Sequence, residues 1–94
     1  MALTFEWDPA KALENEREHE GVTFEEASTC FSDLLSTTIY DPDHSDTEDR
    51  YVLLGISAQG RLLVVVHTER GDNIRIISAR PANGREAEQY TQAQ

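Results

Sequence analysis

Two neighbouring runs of β-branched residues dominate the hydrophobic pattern. Leu62–Glu69 and Asn73–Arg80 are rich in Val and Ile, and a Gly71-Asp72 step lies between them. β-Branched residues favour strands, and Gly-Asp supplies the positive-φ positions that a tight hairpin turn needs. Residues 62–66 are apolar at consecutive positions, which is typical of a strand covered on both faces. The pattern therefore predicts a β-hairpin whose first strand is central in its sheet.

The N-terminal region predicts a short strand and a helix. Polar and apolar residues alternate over Thr4–Trp7, as in a strand. Asp8 is a good N-cap and Pro9 suits the first helical position, so a helix is expected over Ala10–Glu18. Gly21 is expected to end it.

A second helix is predicted over Phe24–Ser32. Thr23 and Glu26 have the spacing of a capping box, in which each side chain bonds the other residue's backbone. Helical spacing then predicts a core stripe, formed by Phe24, Ala27, Phe31 and Leu34.

The remaining elements complete an α+β pattern. Strands are expected over residues 35–40 and 51–57, separated by an acidic loop over 41–49. After the hairpin, Asn83 caps a short helix over Gly84–Tyr90. The expected fold is a single domain over residues 1–94. It is a two-layer sandwich, with an antiparallel β-meander sheet, two N-terminal helices on one face and a short C-terminal helix.

The charge is −10, from 18 acidic and eight basic side chains, which by itself argues against nucleic-acid binding. Six of the eight basic residues are arginines between Arg50 and Arg85, so a local basic site on an acidic body stays open. An acidic body also suits a basic protein partner. The single cysteine, the lack of an apolar run of membrane-spanning length and the lack of a signal-peptide pattern at the N-terminus predict a cytoplasmic protein.

Several motifs in order resemble one known family, the BrnT toxins. The match runs from Phe5 to about Tyr90. It is carried by Phe5-Glu6-Trp7-Asp8-Pro9, Lys11, Asn15, His19, Gly21-Val22, Phe24-Glu25-Glu26-Ala27, Asp41-Pro42-Asp43-His44-Ser45, Glu48, Arg50-Tyr51, Gly60-Arg61-Leu62-Leu63-Val64-Val65, His67-Thr68-Glu69 and Arg75-Ile76-Ile77-Ser78-Ala79-Arg80.

The resemblance implies a RelE-like fold and the toxin of a type II toxin–antitoxin pair. It implies a ribonuclease that inhibits translation and is neutralised by a BrnA-type antitoxin, a small DNA-binding protein. Two places depart from the family pattern: Glu18 precedes His19 where members tend to carry Lys or Arg, and Arg85 is the only arginine of the segment Asn83–Glu88, in a helix that is usually Arg-rich. Both changes remove positive charge that an RNA enzyme uses.

RNA cleavage without a metal needs a base, an acid and positive donors for the phosphorane. The predicted catalytic residues are His67, Arg80 and Lys11, with possible substrate contacts from His19, Arg75 and Tyr90. Five have a structural alternative: His67 as a hydrogen-bonded strand-end histidine, Lys11 and His19 as solvated helix residues, Arg75 as an exposed cross-strand partner, and Tyr90 as a residue that packs its helix. Strand alternation predicts that Arg75 and Arg80 lie on opposite faces unless a bulge intervenes.

Two other features of the sequence are assigned no function. His44 lies among five acids, but the loop lacks the spacing of a calcium site, so a solvated loop is expected and no metal or other cofactor is predicted. Cys30 lies in the helical core stripe and is expected to pack there. Two rival functions remain open: a non-catalytic partner-binding module of the same fold, and a protein that needs the ribosome to act.

Overall fold

The computed structural model describes residues 3–44 and 46–93, and all structural statements refer to these. Three helices and five strands are present, together with short 3-10 turns at Cys30–Ser32 and Pro42–His44. In chain order the elements are β1 (Thr4–Glu6), α1 (Pro9–Glu18), α2 (Phe24–Thr29), β2 (Thr37–Asp41), β3 (Arg50–Ile56), β4 (Leu62–Arg70), β5 (Asn73–Pro81) and α3 (Gly84–Gln92).

The strands form one sheet in the order β1-β5-β4-β3-β2. Strands β2 to β5 are an antiparallel meander, as predicted, and β4 is the central strand. Strand β1 pairs with β5 in parallel, which makes the sheet mixed. The two N-terminal helices connect β1 at one edge of the sheet to β2 at the other. A hairpin joins only antiparallel strands, and β1 and β5 are not consecutive in the chain, so they can pair in parallel.

Both N-terminal helices begin where the sequence predicts. The Asp8 side chain accepts the Ala10 N–H and Pro9 is the first residue of α1, while Thr23 Oγ1 accepts the Glu26 N–H at 2.9 Å. The predicted capping box at α2 is wrong in its second half. The Glu26 carboxylate binds Arg61 and Ser57 instead, because α2 packs where these two side chains reach it.

The second helix ends earlier than predicted. α2 stops at Thr29, and a 3-10 turn carries the chain to Asp33. The Asp33 carboxylate accepts the backbone N–H groups of Leu35 and Ile56, which holds the chain in a turn. Leu34 is therefore 98% exposed, and its predicted place in the core stripe is wrong.

The core lies between one face of the sheet and the two N-terminal helices. Phe24, Ala27 and Cys30 from the helix side meet Leu63 and Val65 of β4. α1 lies along β5, where Asn15 bonds both the N–H and the C=O of Ala79. This side chain takes the place of a neighbouring strand along the part of β5 that β1 does not reach.

The opposite sheet face, here called the open face, is not covered by α1 or α2. α3 crosses one end of it. There Glu86 and Gln89 border a groove whose sheet residues are Thr37, Ile39, Val52, Leu54 and Val64. Among the described residues, no helix is long and apolar enough to cross a membrane.

Candidate functional site

A β-bulge in β5 decides where its arginines point. Val66 is opposite Ser78, but the next residue, His67, is opposite Ile76, so Ile77 is an extra residue in β5. Ile76 and Ala79 consequently both face the core, being 2% and 1% exposed, although they are an odd number of positions apart. The extra residue reverses the alternation of side chains.

Arg75 and Arg80 therefore both lie on the open face. The expectation of opposite faces, drawn from regular alternation, is wrong, and the bulge named as its exception is the physical reason. The two arginines are five positions apart, about 15 Å along a strand. In the structure each guanidinium binds a different carboxylate, Glu6 for Arg75 and Glu86 for Arg80, an arrangement that suits two phosphates of one nucleic-acid strand.

Lys11 and His19 lie beside the bulge. Lys11 on α1 and His19 just after its end line a shallow depression. Its other lining residues are Glu14, Asn15 and Glu18 from the same segment and Ile77 and Ser78 of β5. Asn15, one helical turn from each, is the residue that fixes α1 to Ala79. Four of the six predicted site residues thus lie on or beside β5: Lys11 and His19 in the depression next to Ile77 and Ser78, and Arg75 and Arg80 on the open face of the strand. This region, here called the β5 surface, consists of Lys11, His19, Arg75, Ser78 and Arg80.

Acidic side chains accompany the basic ones. Arg75 Nη1 donates to Glu6 Oε2 at 2.7 Å, and the Glu6 carboxylate also accepts from Asn73. Arg80 donates to both carboxylate oxygens of Glu86, each at 2.8 Å. These hydrogen bonds hold the pKa of each carboxyl below its usual range, so both carboxylates stay charged at neutral pH.

His67 does not belong to the β5 surface. It is 4% exposed, faces the core side of β4, and lies between the rings of Phe31 and Tyr51. Neither ring nitrogen has a hydrogen-bond partner within the described ranges. Burial lowers the pKa of His67 to about 4, so the imidazole is neutral at pH 7. In this conformation the ring cannot exchange a proton with a bound substrate.

Tyr90 is also apart from the β5 surface. It is 7% exposed, and its hydroxyl donates to Asp33 Oδ2 at 2.5 Å. This contact fixes the end of α3 to the turn after α2. Cys30 is fully buried, and burial raises the pKa of its thiol to about 12, so it is not a thiolate nucleophile.

In the acidic loop, His44 Nδ1 lies 2.8 Å from Asp41 Oδ2, within hydrogen-bond distance. Over residues 3–44 and 46–93 no three His, Cys, Asp or Glu side chains are grouped as metal ligands. Ser45, part of the motif quoted for the loop, lies outside the described residues.

Sequence reasoning missed two residues that shape the site, Asn15 and Glu86. For Glu86 a signal existed, because Asn83 and Glu86 have capping-box spacing and the structure contains both bonds of that box. For Asn15 no local pattern points to Ala79, which is 64 residues away in the chain.

Comparison with known proteins places the chain in a family. The family model described as "Ribonuclease toxin, BrnT, of type II toxin-antitoxin system" matches residues 7–86. The chain belongs to the BrnT family. No curated protein matches the chain.

A solved structure supports the fold of this BrnT-family chain. The crystal structure of the Brucella abortus ribonuclease toxin BrnT matches with a TM-score of 0.63 and 21% identity, over 87% of this chain and 99% of that chain. At this identity the likeness concerns the fold, and it confirms the predicted α+β sandwich.

Proposed function

We propose that this chain is an endoribonuclease toxin that cleaves RNA at the β5 surface by metal-independent transphosphorylation. Ribonuclease activity in general is supported by its family. The observation that carries the location is the bulge, which turns Arg75 and Arg80 to one face of β5, while Lys11 and His19 line a depression next to Ile77 and Ser78 of the same strand. These are the side chains that a polyanionic strand needs along its path.

Each residue has a proposed part in the reaction. Arg80 and Arg75 bind separate phosphates, since a guanidinium matches the paired oxygens of a phosphate. Lys11 stabilises the charge that develops when the 2′-oxygen attacks phosphorus. His19 takes the proton of the attacking 2′-hydroxyl and gives it to the 5′-oxygen that leaves as the P–O5′ bond breaks, since an imidazole can accept and donate a proton and this one is only half-buried beside Ser78.

The sequence predicted His67 for proton transfer, and we propose a different part for it. Its enclosure between Phe31 and Tyr51 supports a packing role. The two proposals separate experimentally. His19→Gln is expected to lower RNA cleavage strongly and leave thermal stability near wild type, whereas His67→Phe is expected to retain cleavage. Loss of cleavage in a folded His67→Phe protein, with His19→Gln active, would restore His67 as the catalytic residue.

We also infer that the partner is an antitoxin of BrnA type. We infer that the protein acts in the cytoplasm, where its RNA substrates are located. Large apolar side chains on and beside β2 support a protein partner. They are Leu34, Leu35, Ile39, Tyr40 and Ile56, which are 41–98% exposed.

Co-purification tests the partner. The tagged chain, co-expressed with a BrnA-type antitoxin, is expected to retain the antitoxin through washing. Ile39→Asp should lose the partner, whereas Leu13→Asp, a matched change at a residue 59% exposed on α1, should keep it. Equal retention by both variants would contradict this location of the interface.

A second function has a specific observation in its favour. Both arginines of the β5 surface are paired with carboxylates, and the chain carries a charge of −10. A ribosome-dependent or non-catalytic partner-binding module would tolerate this. Growth arrest on expression without the antitoxin separates the toxin from the non-catalytic module: arrest that disappears in Arg80→Ala supports the toxin, and unimpaired growth with wild-type protein supports the module. Cleavage of naked RNA would argue against a protein that needs the ribosome.

A further inference from the structure

The edge of Arg80 that suits a phosphate already faces a carboxylate. Nη1 donates to Glu86 Oε1 and Nη2 to Glu86 Oε2, both at 2.8 Å, in a bidentate pair. A carboxylate presents two oxygens to a guanidinium much as a phosphate does. Glu86 and an RNA phosphate therefore need the same two N–H groups.

Glu86 is not a mobile surface carboxylate. Its Oε1 also accepts the Asn83 N–H at 2.9 Å, while Asn83 Oδ1 accepts the Glu86 N–H at 2.9 Å. This capping box begins α3 and holds the Glu86 side chain, which is 21% exposed. The far end of α3 is fixed by the bond from Tyr90 to Asp33. The carboxylate is thus presented to Arg80 by an anchored helix.

We propose that Glu86 is an internal competitor for the phosphate-binding edge of Arg80, so that the first turn of α3 regulates RNA binding at the β5 surface. This inference rests on the proposed function. RNA binding moves two Arg80 N–H groups from the Glu86 carboxylate to a phosphate. Glu86 keeps its bond to the Asn83 N–H, so α3 retains its cap while the guanidinium changes partner.

Glu86→Gln isolates the competition. Glutamine at this position can still complete a capping box, so α3 keeps its start while the ion pair to Arg80 is lost. Glu88→Gln is the matched control, because it removes the same charge from an exposed position on the same helix. Glu86→Gln/Arg80→Ala tests whether any gain passes through Arg80.

The assay is fluorescence anisotropy with a labelled 2′-O-methyl RNA oligonucleotide, which binds but lacks the attacking 2′-hydroxyl. Glu86→Gln is expected to bind about tenfold more tightly than Glu88→Gln, the lower end for hydrogen bonds to a charged group. One added phosphate contact should also steepen the slope of log K against log salt by about 0.7. The double variant should lose both effects.

The outcomes separate this inference from the proposed function. Equal affinity and equal salt slope for the two glutamine variants, with wild type still binding RNA, overturn the competitor alone. A fall in RNA cleavage by Glu86→Gln also overturns it and indicates a direct part for Glu86 in the reaction. Failure of every variant and of wild type to bind the oligonucleotide overturns the RNA-binding function together with the inference.

Discussion

Replacing His67 with phenylalanine is expected to remove a pH dependence from the stability of the fold. The imidazole is enclosed by Phe31 and Tyr51, and neither nitrogen has a hydrogen-bond partner within the described ranges. Protonation would place an unpaired charge in the core. Phenylalanine fits an aromatic environment and cannot titrate.

The magnitude follows from the pKa of His67, which burial lowers from 6.5 to about 4. Between these values the unfolded chain binds a proton at this position and the native chain does not, so stability falls as the pH is lowered. The part of the free energy of unfolding that depends on a neutral His67 is fully present above about pH 6.5. By linkage it is reduced by about 2 kcal/mol at pH 5 and by about 3 kcal/mol below pH 4.

Urea unfolding of both proteins at pH 7.5 and pH 5 measures this difference. The wild-type free energy of unfolding is expected to fall by about 2 kcal/mol more than that of His67→Phe over this interval. Any strain from the larger ring is the same at both pH values, and the carboxyl groups titrate in both proteins, so these contributions cancel. Equal losses in the two proteins would refute the buried, neutral state of His67.

Two further substitutions test how the site is positioned. Asn15→Ala leaves the Ala79 N–H and C=O without their side-chain partner and is expected to cost about 2–3 kcal/mol in urea unfolding; a loss under 0.5 kcal/mol would contradict the role of Asn15 at the edge of β5. Gly55→Ala places a Cβ 3.1 Å from Cys30 O and is expected to lower stability by about 1–3 kcal/mol; an unchanged melting temperature would show that the turn after α2 yields.

The fold was predictable because its signals are local. Consecutive apolar residues marked β4, the Gly71-Asp72 step marked the hairpin, and Asp8-Pro9 marked the start of α1. The end of α2 was not predictable in this way. It depends on the Asp33 carboxylate bonding Ile56, a contact between elements distant in sequence.

The candidate site was predictable in part. Lys11, His19, Arg75 and Arg80 were singled out by type and motif, but the shared face of Arg75 and Arg80 depends on the extra residue Ile77. A bulge is a property of strand pairing, and no composition rule places it. The burial of His67 also follows from strand alternation, because His67 lies on the same face of β4 as the buried Leu63 and Val65. The position in the strand outweighs the polarity of the ring.

The most direct test of the account is RNA cleavage by purified chain, freed of partner, in the presence of EDTA. Three proteins are compared: wild type, Lys11→Ala/Arg80→Ala, and the matched Arg17→Ala/Arg70→Ala, which removes two positive charges outside the β5 surface. We expect cleavage by wild type and by the matched control, with products ending in 2′,3′-cyclic phosphate, and little cleavage by the Lys11/Arg80 variant. Equal cleavage by all three, or cleavage only when Mg²⁺ is restored, would contradict a metal-independent site at the β5 surface.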